Sequence, residues 1–424
     1  MRRAPGPSRL FTPTIAAITM AAALCVSHAG AQQSRDGLPA VSPALEKLLA
    51  EPYLTDRERL ALRVEHGLWA GEDLQSPAMR ARAALIAWAY LDPVFDDPAV
   101  DVLDRAEAML LRGRPGETLK LLGDASGLRA GRLRASALFD LGRFADADAA
   151  VQPVIDMMSS RQITDAASLV EGTRALMIRA TIRGSAREHG GDFHAIKGLI
   201  EHARDDLDRL SWRARLAEAE LLYDKHNPQE SAAAATEALT LNPRCAGAQA
   251  LLARIAVDSF AFDEAERLAM SLDAQAAEFG VLNPDAAEIR ARMRLRQRDA
   301  EGAETILTPA RKELPDNRRL LALDAAIAAV AFDDDRLKAR LARFDRLAPG
   351  SPLALYEVGR ALAEARQYDD AIETLGLASA RLEHWPQPWI EQGLVLIQAG
   401  GDDEAEPVLE RAVTLDPFDT RAKN

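Results

Sequence analysis

Apolar and polar residues alternate along this chain with the period of amphipathic helices, and the helices come in consecutive pairs. Residues 385–419 form the clearest pair, with a turn at residues 399–402. Four pairs of residues in this region recur at a spacing of 34: Gly359 with Gly393, Ala371 with Ala405, Leu375 with Leu409, and Ala378 with Ala412. A fixed period of that length predicts a repeat architecture, in which each helix pair stacks on the next.

The pattern divides the chain into four segments. We expect a signal peptide in residues 1–31, an atypical N-terminal helical cap in 32–95, degenerate helix pairs in 96–210, and a regular array in 211–424. The cap matches the period poorly, as expected of a terminal repeat with one face in contact with water instead of a neighbour.

Two helix starts in the cap are marked by their residues. Thr55 with Glu58 three positions later has the pattern of a capping box, and we expect that helix to stop at Gly71. Ser76 precedes Pro77, which suits a first helical position, and we expect the second helix to run to about Leu91.

Prolines recur at the expected ends of second helices in the regular array. Second helices are expected to end at Pro243, Pro315, Pro349 and Pro417, because proline cannot continue a helix. About four extra residues precede Asn283 and shift the register once before the period resumes.

These residues resemble the tetratricopeptide repeat family, most specifically in the last two repeats and only weakly before residue 160. In the last repeat the family's marker positions fall on Trp389, Gly393, Ala405, Leu409, Ala412 and Pro417. The family's opening of the second helix appears as the sequences FADA at 144–147, FDEA at 262–265 and YDDA at 368–371. Leu337 departs from the pattern, since alanine is expected there. The resemblance implies an all-α, right-handed superhelix (a solenoid) of helix pairs over residues 96–424.

The resemblance also implies a function, because the family binds peptide or protein segments in a groove lined by its first helices. Transferred to this chain, the inner surface would carry Arg132, Phe139, Tyr223, Arg254, Arg292, Arg296, Tyr356 and Arg360. The alternative is that these are ordinary exposed helix residues. Because arginines dominate the set, we expect an acidic ligand segment. The family's chaperone-tail clamp is not supported, since its positions hold Leu216, Glu220, Tyr356 and Arg360.

The N-terminus predicts export to the periplasm or the extracellular space. Three arginines precede an apolar run at residues 10–26, and the small residues 29–31 suit cleavage before Gln32. The alternatives are a membrane anchor, for which the apolar run is short and interrupted, and a lipoprotein using Cys25. Cleavage would change the formal charge from −13 to −16 and leave Cys245 as the one cysteine, a small residue at a helix start. No later segment is apolar enough to span a membrane, and the negative charge argues against nucleic-acid binding.

The sequence lacks the residue patterns of known catalytic or metal sites. No HExxH, GxSxG, P-loop or paired-cysteine motif is present, so we expect neither an enzyme nor a cofactor. His194 and His202, with His189 nearby, are eight residues apart, too far for one metal. The acidic runs at 333–335 and 402–404 suit helix N-termini.

The prediction is therefore an exported, non-catalytic scaffold that binds a protein or peptide segment. Two alternatives remain: a structural subunit that self-associates through its C-terminal end, and the recognition portion of an exported enzyme. The first follows from the apolar positions Val408, Leu409, Ala412, Val413 and Leu415, which few residues are left to cover. We expect this stripe to be an exposed docking surface, or else the segment from Phe418 folds back over it.

Overall fold

The computed structural model describes residues 42–160, 162–185 and 193–422, and within them the secondary structure is helical. Consecutive helices pack side by side in antiparallel pairs, and the first helices of neighbouring pairs also contact each other. The all-α superhelix of helix pairs predicted from the sequence is confirmed. The signal-peptide prediction and His189 lie outside the described residues.

Within the described residues, nine helices precede the regular array. They are α1 (Pro43–Leu49), α2 (Asp56–Glu65), α3 (Pro77–Ile86), α4 (Val102–Leu111), α5 (Pro115–Leu122), α6 (Leu128–Asp140), α7 (Phe144–Ser160), α8 (Ala166–Arg183) and α9 (Phe193–Glu201). Short 3-10 turns occupy Gly71–Leu74 and Pro93–Asp96, and a π-helical segment, His202–Leu207, continues α9.

The array contains twelve helices over its described residues, 211–422. They are α10 (Trp212–Asp224), α11 (Pro228–Leu241), α12 (Ala246–Asp258), α13 (Phe262–Ala277), α14 (Pro284–Arg296), α15 (Ala300–Glu313), α16 (Arg318–Val330), α17 (Asp334–Leu347), α18 (Leu353–Glu364), α19 (Tyr368–Arg381), α20 (Pro386–Ala399) and α21 (Asp402–Leu415). Even-numbered helices are the first helices of their pairs.

Both helix starts predicted in the cap are confirmed, but both ends come earlier than predicted. Thr55 and Glu58 form a reciprocal capping box, and the hydroxyl of Ser76 accepts from the next turn. The helix predicted to stop at Gly71 ends at Glu65, because the chain turns through a left-handed residue two positions later. The helix predicted to reach Leu91 ends at Ile86 for the same reason, since Trp88 has φ 52°.

The turn inside each pair of the array carries one left-handed residue, and these residues mark the repeat. They are His226, Phe260, Arg298, Phe332, Arg366 and Gly400. Their spacing is 34 residues except for one step of 38, which confirms the predicted insertion of about four residues. Five of the six are not glycine, although a side chain in this conformation is costly.

Small residues lie where the helices of a pair approach most closely. A Cβ atom on Gly359 would lie 2.6 Å from Cγ of Leu375, and one on Gly393 would lie 2.5 Å from Cγ of Leu409. The four residues belong to the recurring positions identified in the sequence. The repeat that contains Leu337 also departs from the pattern in structure: α16 packs directly on α18, and Phe344 is the fully buried side chain of α17.

Parts of the chain before residue 210 contact the array, through α8 and α9 and through turns between helices. Left-handed glycine turns of the first half lie against turns between pairs of the second half. Gly113 lies against Asn317, and Gly142 against Pro349. In the cap, Trp69 and Tyr90 are fully buried, and the Tyr90 hydroxyl donates to Asp285 at 2.8 Å. Buried side chains of the cap therefore contribute to the same core as the array.

The stripe on α21 that was predicted to be exposed is covered. Ala412 and Leu415 are fully buried, and the other three residues of the stripe are partly buried. Residues 416–422, called the tail here, fold back, and Ala422 packs with Ala412 and Ile390. The Phe418 ring stacks on Phe193 at 4.8 Å. The folded-back alternative is therefore correct, and the exposed docking surface was wrong.

Candidate functional site

First helices of the array surround an open cavity of about 800 Å³, called the groove cavity here. Its walls come from α10, α12, α14, α16, α18 and α20, with further residues from α8, α9 and the tail. This is the surface on which the sequence placed a binding groove. Its apolar part includes Ile196, Leu221, Leu251, Ile255 and Leu323.

Six of the eight predicted groove residues line this cavity: Tyr223, Arg254, Arg292, Arg296, Tyr356 and Arg360. Arg132 and Phe139 do not. Arg132 is buried between two carboxylates, at 2.7 Å from Glu107 and 2.5 Å from Glu171, so it joins α4, α6 and α8. Phe139 packs edge-on against Phe144 at the turn between α6 and α7. Both predictions were wrong because the repeat register is weak in this part of the chain.

Each predicted arginine in the groove cavity has an acidic partner. Arg292 bridges two helices, donating to Glu288 of its own helix at 3.1 Å and to Glu357 of α18 at 2.7 Å. Arg254 lies 3.8 Å from Glu288, the carboxylate that Arg292 also binds. These ion pairs hold neighbouring first helices together across the cavity wall.

A second cluster surrounds Asp258 at the end of α12. The Tyr223 hydroxyl donates to this carboxylate at 2.8 Å, Arg296 donates at 3.0 Å, and Arg360 lies 3.6 Å away. Burial would raise the pKa of Asp258, but Arg360, Tyr223 and Arg296 outweigh it and hold that pKa below its usual range. The carboxylate therefore remains ionised at neutral pH.

Glu288 shows the same balance at the centre of the wall. Its burial would raise the carboxyl pKa, but Arg319, Arg254 and Arg292 outweigh burial and lower the pKa to about 2. For Glu357 too, Arg292 and Arg360 outweigh burial and hold the pKa below its usual range. These three carboxylates therefore remain ionised and paired with arginines at neutral pH.

Among the described residues, the charged side chains of the cavity wall balance. Its seven acidic residues are Glu220, Asp224, Asp258, Glu288, Glu357, Glu364 and Glu391, and its seven cationic residues, histidine aside, are Lys225, Arg254, Arg292, Arg296, Arg319, Arg360 and Arg421. The acidic-ligand prediction considered the arginines alone. The matching carboxylates remove its basis, because the arginines' charge is neutralised within the wall.

The tail closes one side of the groove cavity. Asp416, fully buried, accepts from Lys225 at 2.6 Å, and Asp419 pairs with His226 in the turn that follows α10. Arg421 lines the cavity and donates to Glu391 of α20 at 2.8 Å. The tail is thereby part of the site.

Sequence reasoning missed the acids of the wall and the tail. The acids left a local signal, because Glu288 and Arg292 are four residues apart on one helix, as are Arg360 and Glu364. Such pairs are neighbours on a helix surface. The contact of Arg421 with the cavity spans 30 residues to Glu391 and no repeat position marks it.

Two further observations concern metal binding and the reactivity of Cys245. Among the described residues no cluster of three or more histidine, cysteine, aspartate or glutamate side chains is arranged to hold a metal ion. Cys245 is buried at the start of α12, as its prediction as a small residue at a helix start required. Burial raises the pKa of its thiol to about 12, which keeps it protonated.

No protein-family model matches the chain, and a search of curated proteins gives no match. Among solved structures, the APC/C hetero-tetramer Cut9–Hcn1 is similar at 14% identity and a TM-score of 0.45, covering 89% of this chain and 70% of that one. Yeast Tom70 is similar at 16% identity and a TM-score of 0.39, covering 90% of this chain and 86% of that one. The human IFIT1 dimer with m7Gppp-AAAA is similar at 16% identity and a TM-score of 0.38, covering 83% of this chain and 76% of that one. At these identities the likeness concerns fold alone.

Proposed function

We infer that this chain is an exported, non-catalytic scaffold that binds a protein or peptide segment in the groove cavity. The observation that carries this proposal is the cavity itself. It is open and is built from the first helices of six successive pairs. It combines polar groups with the apolar part described above, which includes Leu251 and Ile255 and is called the floor here. Pockets of this size and mixed lining are typical binding sites.

The charge balance of the wall supports a ligand segment of low net charge. A strongly acidic segment would be attracted by Arg292 but repelled by Glu288 and Glu357. A basic segment would be attracted by these two carboxylates but repelled by Arg292. A segment with apolar side chains can cover the floor without breaking these ion pairs, whose disruption would leave a buried charge unpaired.

Export rests on the N-terminal sequence. N-terminal sequencing of protein recovered from the exported fraction should begin at Gln32, and an intact Met1 there would contradict export. Among the described residues, no helix has both the length and the apolarity required to cross a bilayer.

Copurification with mass spectrometry tests the binding proposal. Ile255 lines the cavity and is only partly buried, so Ile255→Arg should obstruct the floor without opening the core. Leu377 on α19 is 53% exposed and does not line the cavity, so Leu377→Arg is the matched control. We expect a partner that is retained by the natural chain and the control and lost with Ile255→Arg. Equal recovery with all three chains would contradict binding in the groove cavity.

A further inference from the structure

Three arginines converge on one buried carboxylate where α16 meets α15 and α17. Asp324 of α16 is fully buried, and its Oδ1 accepts from Arg311 at 2.8 Å and from Arg336 at 2.9 Å. Arg340 forms an ion pair with Oδ2 of the same carboxylate. Because all three contacts end on one carboxylate, the three guanidinium groups are immediate neighbours. None of these residues lines the groove cavity.

The cluster holds more positive than negative charge. One further carboxylate reaches it, Glu304 of α15, which accepts from Arg336 at 2.6 Å. Within the described residues the three arginines make no other ion pair, so three cations face two carboxylates. Burial, and beside it the charges of Arg340 and Arg336, lower the pKa of Arg311 against the opposite effect of Asp324. An additional anion would relieve this repulsion between like charges.

Hydrogen-bond donors of the cluster remain available at the surface. Arg311 donates to Asp324 through one terminal nitrogen, and its other terminal nitrogen and Nε make no hydrogen bond to the described residues. Both terminal nitrogens of Arg340 are likewise unused, since its ion pair involves Nε. All four of these nitrogens are accessible to solvent. The two side chains are 18% and 27% exposed, so a group in solvent can reach donors of both.

From this arrangement we propose that Arg311 and Arg340 bind a phosphate group between α15 and α17. A phosphate group carries close to two negative charges at neutral pH and has several acceptor oxygens that point in different directions. It can therefore accept from two guanidinium groups that approach it from two helices. A carboxylate has one charge and two oxygens in one plane, which a single guanidinium group satisfies. This site is independent of the binding proposed for the groove cavity.

Isothermal titration calorimetry of the full chain with inorganic phosphate tests the site, at an ionic strength held constant with sodium chloride. We expect saturable binding. Arg340→Gln should weaken it at least about tenfold, because hydrogen bonds to a charged group are lost. The matched control is Arg381→Gln, since Arg381 lies on α19, is 28% exposed and pairs with Asp345. The control should bind phosphate as the natural chain does.

Arg340→Lys separates a role in binding from a role in folding. Lysine keeps a positive charge beside Asp324, so the buried carboxylate retains its partners and the melting temperature should stay close to that of the natural chain. Its ammonium group does not present two donors in a fixed fork, so the affinity for phosphate should still fall. This variant keeps the test decisive if Arg340→Gln does not fold.

Two probes distinguish the sources of the phosphate group. Binding of methyl phosphate would assign the site to phosphate monoesters, whereas binding of inorganic phosphate alone would assign it to the free ion. Acetate should bind more weakly than either probe, because it has one charge and two oxygens. Three results would each overturn the proposal: no saturable binding of either phosphate, equal affinities for acetate and phosphate, or a phosphate affinity that Arg340→Lys leaves unchanged.

Discussion

Substitution of glycine by alanine should destabilise the chain where two paired helices approach closely, at Gly359, and stabilise it where they do not, at Gly198. In Gly359→Ala the new Cβ would lie 2.6 Å from Cγ and 2.9 Å from Cδ2 of Leu375, whose side chain is fully buried. Overpacking of this kind costs about 1–3 kcal/mol. Alanine gains about 0.5–1 kcal/mol over glycine in a helix, so the net loss should be about 0–2.5 kcal/mol, and Gly359→Ala should be about 1–3 kcal/mol less stable than a glycine-to-alanine change without a close contact.

Gly198 on α9 provides the control. It is exposed, and a Cβ there would have no neighbour within 4 Å. Gly198→Ala should therefore stabilise the chain by about 0.5–1 kcal/mol, through the helix-forming tendency of alanine alone. Gly393→Ala should fall between the two variants, because its neighbour Leu409 is only partly buried and can rotate away.

Urea unfolding followed by circular dichroism measures these changes. Repeat arrays can unfold in parts, so hydrogen exchange in α18 and α19 should also be measured for Gly359→Ala, because it reports the local stability of this helix pair. Exchange there should accelerate in this variant and remain unchanged in Gly198→Ala. If Gly359→Ala is as stable as Gly198→Ala, the close contact of α18 with α19 is not as described and the packing argument fails.

Three further predictions concern stability. Phe332 is 77% exposed with φ 57°, so Phe332→Gly should raise the free energy of unfolding by about 1 kcal/mol in urea titrations, and an unchanged value would contradict strain at this turn. Burial raises the pKa of Asp140 to about 6, so the folded chain binds this proton more tightly than the unfolded chain does. Stability from this group is therefore lost as pH rises through about 4 to 6, and Asp140→Asn should remove that part of the pH dependence of the melting temperature. Ala405 is 2% exposed, so Ala405→Leu should lower the melting temperature, whereas Ala399→Leu at an exposed position should not.

The sequence predicted the parts of the fold that depend on local spacing. The 34-residue period, the close approach at Gly359 and Gly393, and the capping box at Thr55 all arise from residues near one another in the chain. The contacts between the two halves could not be predicted in this way. Gly113 meets Asn317 across about 200 residues, and neither position belongs to a repeating pattern that would connect them.

In the candidate site too, local spacing predicts some residues, and others depend on contacts between distant parts of the chain. Six predicted residues reached the groove cavity because their register follows the regular repeats, while Arg132 lies where that register is weak and became a buried ion-pair partner. The acids were open to prediction from the four-residue spacing of Glu288 and Arg292. The role of Arg421 was not, because it depends on the folding back of the tail.

Site-specific photo-crosslinking in the native cell tests most directly the claim that the groove cavity binds a protein segment. A photoreactive residue would replace Ile255 on the cavity floor in one variant and Leu377 on the exposed face of α19 in the other. We expect one protein to crosslink at position 255 and not at position 377. Crosslinks to that protein at position 377 alone, or a chain that crosslinks to no protein at position 255, would contradict the account.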